Sequence, residues 1–131
     1  MRYLLLMHVP REGDYRSDLW PAGDAQAHYD YWRRLNAELK ERGELVEVKA
    51  LAPPGESRTV RAGSDGLPVV TDGPFAEAKE FLAGFWTVEV DSPERALRIA
   101  ATASAVPGRG GAPLGLPIEV RRVGSAPLPD A

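Results

Sequence analysis

Two imidazoles, His8 and His28, are the only side chains in this 131-residue sequence whose ordinary pKa lies near neutrality, and there is no cysteine. Thiol nucleophiles, disulfides and thiolate zinc sites are therefore excluded. His28 is the candidate for proton transfer, with an ordinary pKa of about 6.5 that small shifts tune for acid–base work. Its other reading is a buried histidine bonded to backbone. Asp72, ahead of Gly73-Pro74, could orient His28 or accept a proton, or could cap the turn that follows it. Lys79 and Glu80 could hold an anionic ligand or form a solvated helix end. Arg58 and Arg61 could hold a carboxylate or protect an edge strand. Trp32, Phe75, Phe85 and Trp86 could line a pocket for an apolar or aromatic ligand, or pack a core or dimer interface. Two histidines without a carboxylate set make no metal site, so none is expected. No phosphate loop, dinucleotide fingerprint or nucleophile elbow occurs, and no cofactor is expected.

The elements that must position these residues follow from periodicity. Residues 2–9 are apolar on both alternating faces, Tyr3, Leu5, Met7 and Val9 against Leu4, Leu6 and His8, as in a central strand covered on both sides. Residues 24–42 read as a helix, with Asp24 as cap and Gly43 as stop. Its stripe Ala25, Trp32, Leu35 and Leu39 includes His28 at about 100° per residue. Residues 44–51 alternate as a half-buried strand. Residues 58–62 and 67–71 flank a Gly-Ser-Asp-Gly turn and read as a hairpin, with Pro68 at an edge. Pro74 could open a helical turn through Lys79. Residues 85–90 read as a strand, with Trp86, Val88 and Val90 on one face. Ser92-Pro93-Glu94 starts an alanine-rich helix to about Ala105, with Leu97 and Ile99. Residues 106–116 read as a Gly/Pro-rich loop, 117–123 as a last strand and 124–131 as a frayed tail.

The order β-α-β-hairpin-β-α-β predicts an α+β, ferredoxin-like layout, with an antiparallel or mixed sheet and two main helices on one face. The opposite face also carries apolar side chains, and sheet-to-sheet homodimerisation into an α+β barrel-like dimer covers it most simply. Length sets one domain, here residues 1–123, and the chain is 44% hydrophobic and 27% charged, which fits a globular protein. A net charge of −3 gives no electrostatic reason for a nucleic-acid partner. The apolar N-terminal run is too short for a membrane span and lacks a signal-peptide cleavage site, so the expected location is cytoplasmic.

The segment Thr71-Asp72-Gly73-Pro74-Phe75-Ala76-Glu77-Ala78-Lys79-Glu80, followed by Leu82-Ala83-Gly84-Phe85, resembles the signature of the DGPF group of the YCII-related domain family. Arg2–Met7 and Ile118–Val123 resemble the family's opening and closing strands. The chain departs in having Ala83-Gly84 where paired glycines are usual. The resemblance implies a dimeric ferredoxin-like α+β fold, with many members lacking an established activity. It also implies genes placed beside extracytoplasmic-function sigma factors, and hence a possible functional link to a sigma factor. A His–Asp pair is the active site proposed for YCII-type relatives, a few of which are dehydrochlorinases. His28 matches the helical histidine of that pair. The family's aspartate position falls near Ala101–Pro107, where this chain has no acid, which leaves Asp72 as the substitute. The expected function is a small-molecule pocket protein, lyase- or isomerase-like with His28 and Asp72 as catalytic pair and Trp32, Phe75, Lys79 and Trp86 at the ligand. The alternatives are a non-enzymatic ligand sensor or sigma-factor accessory protein, and a structural dimer.

Overall fold

The computed structural model describes residues 1–11, 15–74 and 78–130. The chain forms β1 (Arg2–Pro10), α1 (Ala22–Glu41), β2 (Leu45–Ala50), β3 (Arg58–Ala62), β4 (Pro68–Asp72), β5 (Glu80–Glu89), α2 (Pro93–Ser104) and β6 (Ile118–Arg122). Four strands make an antiparallel sheet in the order β2-β5-β1-β6, and β3 and β4 form a separate two-stranded sheet. This is the α+β, ferredoxin-like arrangement expected from the element order.

β1 is central because both of its faces are apolar. Tyr3, Leu5, Met7 and Val9 are buried, facing the helices, while Leu4, Leu6 and His8 on the other face are half-buried. Leu35 and Leu39 of α1 pack on the covered face, as do Ala96, Ile99, Ala100 and Ala103 of α2. The alanines of α2 have no bulk to hold the helix away from the sheet. Leu97, on the same helix, faces solvent and is 57% exposed.

Several boundaries differ from the sequence reading for physical reasons. α1 begins at Ala22 behind Pro21, and Asp24 lies within its first turn. The Asp24 carboxylate accepts a hydrogen bond from the Gly110 N–H (2.9 Å) and so ties α1 to the loop beyond α2 rather than capping its own helix. β2 is an edge strand, so Val46 and Val48 are exposed instead of half-buried. β5 starts five residues earlier than expected, because Glu80–Gly84 pair with the end of β1. The expected turn after Pro74 falls mainly on residues 75–77, outside the described residues.

Ser92 caps α2 as its sequence signal implies, its Oγ accepting from Arg95 N–H at 3.2 Å. The Gly/Pro-rich stretch after α2 is not a loose loop. It buries Val106 and Leu116 in the core and carries a bridge between Pro107 and Pro113. Residues 124–130 are exposed and carry no helix or strand.

Candidate functional site

His28 sits on the buried stripe of α1 with no exposed surface. Its Nδ1 lies 2.8 Å from the carbonyl oxygen of Pro107, and its Nε2 lies 3.1 Å from the Tyr15 hydroxyl. A carbonyl only accepts, so Nδ1 carries the proton and donates it. Burial disfavours the charged ring and holds the imidazole below its ordinary pKa, opposed in part by the Pro107 bond, which favours the protonated ring. Nε2 of a neutral Nδ1–H ring has only a lone pair, so the Tyr15 O–H donates to it. Burial, and secondarily the neighbouring Tyr29, push the Tyr15 phenol well above its usual range, so that proton stays on oxygen.

Four aromatic rings meet the imidazole edge-on: Trp32 at 4.5 Å between centroids, Tyr29 at 5.0 Å, Trp20 at 5.2 Å and Tyr15 at 5.7 Å. His28 is also one of three α1 side chains that donate to backbone carbonyls at and after the end of α2. Tyr31 Oη donates to Thr102 O (2.8 Å) and Trp32 Nε1 to Ala103 O (3.1 Å). Carbonyls at a helix C-terminus have spare acceptor capacity, and the α1 donors add a second hydrogen bond to Thr102 O and Ala103 O, which also accept from Ala105 N–H and Val106 N–H. His28 therefore docks α1 as well as standing beside Tyr15.

A cavity lies between α1 and the β2 edge of the sheet, in two adjacent lobes. One, of about 230 Å³, is lined by Trp32, Asn36, Val48, Gly84 and Trp86 among others. The other, of about 360 Å³, extends to Tyr15, Phe81 and Pro53. Met7, Tyr29, Trp32, Ala50 and Ala83 border both. His28 is not among the described residues lining either lobe, but Tyr15, Tyr29 and Trp32, which touch its ring, are.

The sheet makes room for this cavity by an irregularity. The β1–β5 register slips between Met7 and His8, leaving Ala83 as a bulged residue. At Gly84 an added Cβ would come 2.7 Å from the Lys49 carbonyl, so β2 can approach only a glycine there. The Ala83-Gly84 pair thus keeps the glycine that the strand packing requires.

The structure brings together some of the expected site residues and separates others. Trp32 and Trp86 line the cavity, with ring centroids 5.7 Å apart. Asp72 does not meet His28. Its side chain is 93% exposed at the end of β4, 3.5 Å from Arg58 Nε, while both nitrogens of His28 are engaged by Tyr15 and Pro107. The His28–Asp72 pair is therefore not formed within this chain, because the hairpin that carries Asp72 builds its own sheet. Lys79 is exposed in the turn before β5, its carbonyl accepting from Arg11 N–H (2.7 Å), and it lines neither lobe. Phe75 lies outside the described residues. Phe85 lines the smaller lobe.

Tyr15, Tyr29 and Asn36 were not singled out by the sequence reading. Tyr29 and Asn36 lie on the same helix as Trp32 at neighbouring spacings, a signal present in the sequence. Tyr15 lies in an irregular segment where no period marks it. Among the described residues no group of three or more His, Cys, Asp or Glu is arranged to hold a metal ion, and no helix is long and apolar enough to cross a membrane.

Comparison with known proteins places the chain in a family. An uncharacterised protein of Rhizobium meliloti (strain 1021) is 43% identical over 60 residues, which cover 46% of this chain and 48% of that protein. The matched stretch thus spans about half the length of that relative. The family model for the YCII-related domain matches residues 1–110, and the chain belongs to that family.

Proposed function

We propose that this protein binds a small, largely apolar molecule between α1 and the β2 edge of the sheet, and that Tyr15 and His28 exchange a proton with it. One observation carries this reading: Tyr15 borders the cavity while its hydroxyl donates to the sealed His28 imidazole. The chemistry is of lyase or isomerase type. A ligand C–H or O–H proton passes to Tyr15 Oη as the Tyr15 proton moves to His28 Nε2. The Nδ1–H of the resulting imidazolium remains bonded to Pro107 O. The electron pair left on the ligand then either expels a leaving group as an anion or takes a proton back at a different atom. Asp72 has no part in this relay. The sequence Asp72-Gly73-Pro74-Phe75 supports placement in the DGPF group of the family.

The lowered basicity of His28 favours a second reading, in which the same cavity senses a ligand without reaction. Turnover separates the two. A catalytic relay predicts that Tyr15→Phe lowers kcat about 10²-fold or more, with ligand affinity changed much less. A substrate turned over equally by wild type, Tyr15→Phe and His28→Ala would remove both groups from the mechanism. Saturable ligand binding with no turnover would establish the sensor reading.

A further inference from the structure

The polar groups of the cavity have fixed senses, and these define a ligand class. Trp86 Nε1–H can only donate, and it lies 2.7 Å from Asn36 Oδ1. The Asn36 amide is therefore oriented with its oxygen toward the indole, and its Nδ2 hydrogens have no protein acceptor among the described residues. Asn36 lines the smaller lobe, so those hydrogens are available to an occupant. At the other end, Tyr15 spends its proton on His28 and offers only oxygen lone pairs. The cavity thus presents a donor at Asn36 and an acceptor at Tyr15.

Charge narrows the class further. The cations at the rim are neutralised within the protein: Arg33 by Asp30 (2.7 Å), Arg16 by Asp18 (2.9 Å) and Lys49 by Glu47 (3.8 Å). An anionic group has no unpaired partner among these three.

Resting on the pocket reading above, we propose that the cavity selects a neutral molecule with a carbonyl-type acceptor directed to Asn36 and a hydroxyl donor directed to Tyr15. The test uses para-hydroxyacetophenone as probe, beside para-ethylphenol, which lacks the carbonyl, and acetophenone, which lacks the hydroxyl. Binding is read by calorimetry and by the indole N–H resonances of Trp32 and Trp86. In wild type each truncated probe is expected to bind about tenfold more weakly, the effect of one hydrogen bond. Asn36→Asp keeps an acceptor for Trp86 but removes the donor, and should erase the preference for the carbonyl. Tyr15→Phe should erase only the preference for the hydroxyl. Equal wild-type affinity for all three probes would overturn the proposed selectivity and leave the pocket standing. Failure of every probe to bind or to shift either indole resonance would overturn the pocket reading itself.

Discussion

His28 holds a helix in place and touches the hydroxyl of a cavity wall, and its protonation links both roles to pH. The native fold holds its pKa below the ordinary value through burial. In the unfolded chain it takes up a proton near about pH 6.5. Below that value the unfolded state binds a proton that the native state does not, so stability is complete at higher pH and declines as pH falls toward the native pKa. Thermal melts at about pH 7.5 and about pH 5.5, a window above most carboxylate titration, should show a loss of Tm in wild type. His28→Gln should show a smaller loss. Equal losses in the two proteins would assign the pH dependence to other groups. Part of this residue-scale behaviour was legible in the sequence. A lone histidine on an apolar helical stripe must be buried and must find a partner. That the partners are Tyr15 and Pro107 was not legible, since they lie 13 residues before and 79 after it, joined only by tertiary packing.

At the scale of elements, two joints hold the cavity's walls. The turn after α1 is clamped to α2 by Glu44, whose carboxylate accepts two hydrogen bonds from Arg95 at 2.8 Å and a third from Arg42 at 2.9 Å. The Arg95 bonds foremost hold its pKa below the usual range, against the opposing effect of burial. Its contribution is therefore present above the ordinary glutamate pKa, about 4.3, and is lost as pH falls through the lower native value. Glu44→Gln should destabilise by about 1–3 kcal/mol at neutral pH. It should also flatten the acid limb of the stability curve, and urea titrations across pH would measure both. The second joint is the close approach of β2 to β5. Gly84→Ala puts a methyl group against the Lys49 carbonyl. It should cost about 1–3 kcal/mol and alter probe binding in the smaller lobe, whereas full stability in a denaturant titration would show that β2 yields. Strand and helix identities were readable from alternation and helical spacing at nearly every element. The exposure of β2 was not, because alternation does not tell an edge strand from an inner one.

At the scale of the molecule, the face of the sheet away from the helices carries Leu4, Leu6 and Phe85. The strand register places Leu6 beside Phe85, and Glu119 and Lys49 flank the pair. An apolar centre with a charged rim is the composition of an interface core and its surround. We propose that two copies pair across this face. Light scattering at micromolar concentration should give a dimer for wild type and a monomer for Leu6→Asp, and a wild-type monomer would refute the pairing. The β3–β4 hairpin is the other large-scale feature, with Val60, Val69 and Val70 exposed on it. It carries Asp72 away from α1 and so parts the two residues that sequence reasoning had joined.

The sequence by itself determined the order of elements, the two-faced central strand and the place of His28 on the apolar stripe of α1, since each follows from local periodicity. Tertiary structure decided which groups meet. It set Tyr15 against His28 in place of Asp72, turned the Asn36 amide by means of Trp86, and opened a cavity at the β2 edge. Those contacts depend on strand order and helix docking, and the hydrogen-bonding sense of each group is fixed only when a partner that solely donates or solely accepts is packed against it.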